Sequence, residues 1–286
     1  MITKNAYAKI NLTLEILEKR SDGYHNIRSV MQKVSLCDKL DFEFWQTGID
    51  LVCDKFVCPP QDNLAYKAAD LYIKKYMENT DKEFGVSIHI TKNIPDKAGL
   101  AGGSADCACV LDTLYCEFGG VDYCDVEDIA ASLGSDINFC LDKYRCALCT
   151  DRGIVLEKCR PFNGNVLICV PDAGMKTSDI YRRFDASPVY FNGNPSENVK
   201  KLLNSGKSGE IYPYVKNSFA PICESECTEI SDIKDTMTTL GACACEMSGS
   251  GSSVFGIFDN CEKMDKAYSF LKEKYSKCFK CTSVCE

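Results

Sequence analysis

Residues 6–16 alternate between apolar and polar. Ala6, Ala8, Ile10, Leu12, Leu14 and Ile16 fall on one face; Tyr7, Lys9, Asn11, Thr13 and Glu15 fall on the other. A period of two marks a strand with one face in a core. The simplest reading makes the other face solvated, with Lys9 and Asn11 side by side on it. An Asp22-Gly23 turn follows, and a second alternating strand spans 27–34, so the connection presents Tyr24 and His25. Residues 36–44, 49–53, 85–91, 147–156, 165–170 and 254–258 read as further strands, with a short one at the C-terminus. Helices are expected at 64–77, with Asp62 as cap, and at 107–118, closed by Gly119-Gly120. Others are expected at 125–133, from 177 with Thr177 or Ser178 as cap, at 197–203, within 220–240 and at 262–275. Residues 185–195 read as an exposed loop. His89 lies mid-strand between isoleucines and reads as structural.

The stretch that organises the pattern is Pro95-Asp96-Lys97-Ala98-Gly99-Leu100-Ala101-Gly102-Gly103-Ser104-Ala105, between a strand and a helix. Its glycines let backbone approach a ligand closely. The helix after it offers unpaired N–H groups and a positive dipole end, and Ser104 adds a hydroxyl. The Gly-Lys-[Ser/Thr] ending of a P-loop is absent, as is a Gly-x-Gly-x-x-Gly fingerprint. Two readings stay open from this loop alone: a phosphate cradle, or a turn that permits tight packing. The later Met247-Ser248-Gly249-Ser250-Gly251-Ser252 run reads by default as a linker or tight turn, and Asp136, after a helix stop at Gly134, as a cap or turn residue.

Composition narrows the class. The chain has 286 residues, enough for one large domain or two ordinary ones. A net charge of −8 argues against a nucleic-acid partner. No apolar run has the length of a membrane span, and the N-terminus lacks a signal-peptide core, so a cytoplasmic protein without membrane partners is expected. Twenty cysteines are many. Cys146 with Cys149 and Cys278 with Cys281 have Cys-x-x-Cys spacing, which raises a zinc site. The alternative is small buried thiols in a reducing compartment, and the scatter of the remaining cysteines favours it.

The glycine loop, from its proline through Ala-Gly-Leu-x-Gly-Gly-Ser, resembles the ATP-binding motif of the GHMP kinases. Lys97, Ala101 and Ala105 depart from it, standing where the family has glycine, glycine and serine. Four more segments match in order: Lys9 with Asn11, Tyr24-His25 after Asp22-Gly23, Gly134-Ser135-Asp136-Ile137, and Met247-Ser248-Gly249-Ser250-Gly251. The resemblance implies a two-domain α+β fold: a ribosomal-S5-like ATP-binding N-terminal domain over 1–155 and a C-terminal domain with an antiparallel sheet and helices over 156–286. It implies Lys9 and Asp136 as catalytic residues. Residues Pro95 through Ala105 would hold the ATP phosphates, with Mg²⁺ bridging them, and Asn63 would reach the adenine. Asn11, Tyr24, His25, Gly249, Ser250 and Gly251 would serve the acceptor substrate. Tyr24-His25 resembles the family members that act on a cytidine diphosphate conjugate of methylerythritol, phosphorylating its 2-hydroxyl to give the 2-phosphate and ADP in non-mevalonate isoprenoid synthesis. Alternatives are another small-molecule kinase of the family, or a non-catalytic sensor of the same fold. A monomer or weak homodimer is expected.

Overall fold

The structure, a computed structural model, describes residues 1–172 and 176–285. Two compact units interleave along the chain. One comprises Met1–Ala8, Leu36–Asp96 and Ala101–Tyr144, and the other Lys9–Ser35, Lys97–Leu100 and Arg145–Glu286. Strands β1 (Ile2–Asn11) and β3 (His25–Trp45) run through both; β2 (Thr13–Lys19) belongs to the second. β3 is one strand of 21 residues where the pattern suggests two. Nothing at 33–36 breaks it, because no glycine or proline is present there and both halves find ladder partners.

In the first unit, β4 (Gly48–Cys53) pairs parallel with β5 (Gly85–Thr91), which pairs antiparallel with residues 39–45 of β3. Helices α1 (Leu64–Thr80), α2 (Gly102–Phe118), α3 (Tyr123–Leu133) and α4 (Ile137–Cys140) complete the unit. α1 buries Ala65, Ala68, Ala69, Tyr72 and Ile73. Its cap is Asn63, whose side chain accepts the Ala65 N–H, and not the expected Asp62. Asp62 instead ends a single 3₁₀ turn, Pro60–Asp62. α2 starts five residues before the expected 107: Gly102 through Asp106 form its first turn and more. Burial of Ala105, Cys107, Ala108, Val110, Leu111 and Leu114 along one side outweighs the poor helix propensity of two glycines. His89, on β5, is exposed.

In the second unit, β10 (Ala244–Met247), β11 (Val254–Phe258), β8 (Asn165–Val170) and β12 (Lys277–Thr282) form an antiparallel sheet in that order. β6 (Cys146–Thr150) pairs with residues 29–32 of β3 and with β7 (Val155–Lys158), and β9 (Lys216–Asn217) runs parallel to β2. The helices are α5 (Thr177–Ala186), α6 (Pro195–Asn204), α7 (Ala220–Glu226), α8 (Thr228–Thr239) and α9 (Cys261–Lys274). The core gathers Leu167, Phe184, Phe219, Ile230, Ile233 and Phe258. Residue 185, expected in a loop, is still helical in α5, and neither Thr177 nor Ser178 caps that helix.

The supposed solvated face of the first strands is buried: Lys9 is 2% exposed, Asn11 1%, Thr13 0% and Glu15 5%. α6 covers part of it, with Ser196 bonded to both Thr13 and Glu15. The Cys-x-x-Cys pairs lie on β6 and β12, and among the described residues no group of three or more His, Cys, Asp or Glu could hold a metal. Cys278 faces Cys169 instead, sulfur to sulfur at 3.1 Å, and no disulfide joins them. No helix among the described residues is long and apolar enough to cross a membrane.

Candidate active site

The expected site residues fall into two sets, one in each unit. In the second unit, residues 97–100 of the first glycine loop pack on residues 248–253 of the second. Gly99 has φ +75°, and a Cβ there would stand 2.1 Å from the Ser248 carbonyl oxygen, so only glycine fits. Ser248 Oγ donates to the Gly99 carbonyl at 3.0 Å. The Ser253 N–H donates to the Ala98 carbonyl at 3.2 Å, and the Lys9 N–H to the Leu100 carbonyl at 3.1 Å. Gly249 and Gly251 both have positive φ, and Ser250 Oγ meets Thr177 Oγ1 at 2.7 Å. The second loop is therefore a folded counterpart of the first and not a linker.

Asn217 holds that second loop in shape. Its Nδ2 donates to the Met247 and Gly249 carbonyls, each at 2.8 Å, while Oδ1 accepts the Phe219 N–H at 2.9 Å. The sequence alone gives no site at this residue. The available signal was an asparagine three residues before a helix, where a short amide can satisfy backbone on both sides.

Lys9 and Asn11 point the same way from β1. Lys9 Nζ donates to Asn11 Oδ1 at 2.7 Å, and the Asn11 N–H donates to Ser248 Oγ at 3.3 Å. Tyr24 and His25 differ in what they offer. Tyr24 is 59% exposed, with the Arg152 guanidinium 5.3 Å from its ring centre. His25 is buried; its ring stacks on Tyr181 at 5.3 Å, and its Nε2 meets Asp185 Oδ1 at 2.7 Å. Lys19 bonds the other Asp185 oxygen, and the hydrogen bonds from Lys19 and His25 hold that carboxyl below its ordinary range. Tyr24 is thus the ring open to a base, and His25 is committed to Asp185 through one nitrogen.

In the first unit, α2 opens with no side chain on its end. Ala101 occupies the cap position with φ +59° and makes no capping bond. The first N–H groups of a 17-residue helix are left for an anion. Asn63 spends Oδ1 on the Ala65 N–H at 2.9 Å, which leaves its NH₂ for other contacts. Asp136 stands at the cap position of α4, yet its carboxylate does not cap that helix. Behind α2 lies a buried cluster that the sequence pattern does not announce. Lys92 Nζ bridges Asp38 and Asp106, the latter at 2.7 Å. Asp38 also accepts the Asn93 and Ile94 N–H groups at 2.5 and 2.8 Å. Asp106 Oδ1 is buried without a hydrogen-bond partner. Burial drives the Asp106 carboxyl upward despite the lysine, to about 7, because one cation does not offset two buried carboxylates.

The GHMP kinases N terminal domain matches residues 63–143, and the GHMP kinases C terminal domain matches 197–277. A 4-diphosphocytidyl-2-C-methyl-D-erythritol kinase of Clostridium botulinum (strain Eklund 17B / Type B) is 38% identical over 277 residues, covering 96% of this chain and 97% of its own. The chain belongs to the 4-diphosphocytidyl-2-C-methyl-D-erythritol kinase family. A crystal structure of 4-(cytidine 5'-diphospho)-2C-methyl-D-erythritol kinase superposes with a TM-score of 0.84 at 28% identity, covering 99% of each chain. L. major mevalonate kinase, at 15% identity and a TM-score of 0.72 over 100% of this chain and 97% of its own, shares the fold.

Against the motif of this kinase family, the departures at Lys97 and Ala101 gain a physical meaning. Both have positive φ, +53° and +59°, the conformation in which glycine carries no Cβ penalty. The loop keeps the glycine geometry at these positions without the glycines.

Proposed function

We propose that the protein is an ATP-dependent kinase that phosphorylates the 2-hydroxyl of 4-diphosphocytidyl-2-C-methyl-D-erythritol, giving the 2-phosphate and ADP, in non-mevalonate isoprenoid synthesis. The observation that carries the reading is the full-length likeness to curated kinases of that name. Phosphoryl transfer depends on positioning and on neutralising charge more than on covalent chemistry by the protein.

The residues divide that work as follows. The N–H groups at the start of α2 and the loop from Pro95 to Ala105 hold the ATP phosphates. Asn63 meets the adenine. Asp136 accepts the proton of the attacking hydroxyl. Lys9, its ammonium oriented by Asn11, offsets negative charge on the transferring group. Tyr24 stacks on the cytosine, with Arg152 on its ring. Gly249, Ser250 and Gly251 line the substrate from the second loop, and His25 supports the cytidine pocket through Tyr181 and Asp185. Mg²⁺ would supply charge neutralisation at the nucleotide phosphates. The protein works in the cytoplasm, as a monomer or weak homodimer.

Asp136→Asn and Lys9→Ala should each lower kcat by at least ~10²-fold, the lower end for general acid–base catalysis. A variant with near-normal turnover removes that residue from the mechanism. Tyr24→Ala should chiefly raise KM for the cytidine substrate; an unchanged KM takes Tyr24 out of the pocket.

A further inference from the structure

The Lys9 ammonium meets a side-chain amide, and an amide has two unlike ends. An ammonium only donates, so Asn11 must turn its oxygen toward Lys9 and its NH₂ away. The two ends are nearly the same shape, and a half-turn about the last bond exchanges them. Exchanged, two donors would face each other at the Lys9 site.

We infer that Ser29 is a positioning residue for the phosphoryl-transfer site: it fixes the Asn11 amide so that the oxygen faces Lys9. Ser29 lies in β3 and is fully buried. Its hydroxyl is 2.6 Å from the Thr13 carbonyl oxygen, which can only accept. The hydroxyl proton is therefore committed there, and the Ser29 oxygen can only accept from its other neighbour. That neighbour is the Asn11 amide at 2.7 Å, which must present Nδ2. The Asn11 oxygen then faces Lys9 Nζ at 2.7 Å.

The same directional reasoning continues behind Ser29. The Ser196 hydroxyl donates to the Arg28 carbonyl at 3.2 Å, so it accepts from Thr13 Oγ1 at 2.8 Å. Thr13 Oγ1 in turn accepts the Val30 N–H at 2.9 Å. The Ser196 N–H donates to the Glu15 carboxylate at 3.0 Å. Glu15, Ser196, Thr13, Ser29, Asn11 and Lys9 are each no more than 5% exposed. Buried polar groups of this kind are costly unless every one is satisfied, and a satisfied network has one hydrogen-bond pattern. This gives a purpose to the polar face of β1 and β2: it holds a hydrogen-bonded line that ends on the Lys9 ammonium.

The inference rests on Lys9 acting on the transferring phosphoryl group. The test is steady-state kinetics of the full chain with Mg²⁺-ATP and diphosphocytidyl-methylerythritol, for the wild type, Lys9→Ala, Ser29→Ala, Ser29→Cys, Asn11→Asp and the doubles with Asn11→Asp. Ser29→Ala should lower kcat about tenfold or more, the scale of one buried hydrogen bond, with KM for ATP changed less than about threefold. Ser29→Cys fills the space with a weaker acceptor and should fall in between. Asn11→Asp is itself impaired, but a carboxylate has no wrong end. In that background, removing the Ser29 hydroxyl should therefore cost less than about threefold in kcat, the alternative to orientation being gone. Should Ser29→Ala not fold, Ser29→Cys and its double carry the same comparison. Wild-type kcat in the Ser29 variants, with Lys9→Ala inactive, overturns the inference alone. An equal loss with and without Asn11→Asp also overturns it, because Ser29 then acts only through stability. An unimpaired Lys9→Ala sinks the Lys9 reading together with the inference.

Discussion

Ala101 holds a left-handed conformation, φ +59°, at the cap of α2. An L-residue there carries a penalty of about 1–2 kcal/mol that glycine lacks, while glycine loses about 0.4–1 kcal/mol through the unfolded chain. Ala101→Gly should therefore match or slightly exceed the wild type in a urea titration, and Ala101→Val should lose at least about 1 kcal/mol, because a β-branched residue is least suited to positive φ. Equal midpoints for all three would mean the conformation is not populated. Asp106 gives a second residue-scale expectation. Its carboxyl rises from 3.8 to about 7 on folding, so between those values the folded chain holds a proton that the unfolded chain has released. Stability on that account is complete below the lower value and is lost as pH rises through the upper one. Asp106→Asn, which cannot ionise, should gain on the wild type as pH goes from 4 toward 7, read as a Tm difference that widens with pH. A difference that is constant, or widens toward acid, would contradict the assignment.

At the scale of elements, the two glycine loops and the strands feeding them carry the account. Gly99→Ala places a Cβ 2.1 Å from a backbone carbonyl at φ +75°, so the loops must part. We expect kcat/KM to fall at least ~10²-fold, as for a site displaced by about an ångström, and circular dichroism to show the fold retained. Near-normal activity would mean the loop contact does not matter. The same elements show what a sequence can disclose. β5 sits where its alternation put it, and β8 and β11 where short apolar runs bounded by turn residues put them, because these signals are local. The burial of Lys9, Asn11, Thr13 and Glu15 was not legible, since α6, far along the chain, lies over part of that face. The first turn of α2 was hidden because glycine propensity points to loop, and only packing of its buried side overrides it. Asn63 displaced Asp62 as cap by a one-residue shift that a 3₁₀ turn causes. Of the candidate site, the glycine loops, Lys9, Asn11, Tyr24 and Asp136 are proposed from motif order. Ser29 and the Lys92 cluster are not legible, because each acts by a contact that no spacing records.

For the whole molecule, the buried cysteines pack as small apolar side chains, the reading that their scatter along the sequence favours. Buried examples such as Cys107 and Cys223 have their thiols pushed up by burial, away from the thiolate that metals and oxidants need. The chain as a whole stands or falls on its activity. The decisive measurement is ADP release by the purified protein with Mg²⁺-ATP, with diphosphocytidyl-methylerythritol as acceptor and with homoserine and mevalonate in parallel. Turnover should depend on the cytidine substrate and be absent with the other two. ATP binding by folded protein without turnover on the cytidine substrate, or comparable turnover on homoserine or mevalonate, would contradict it.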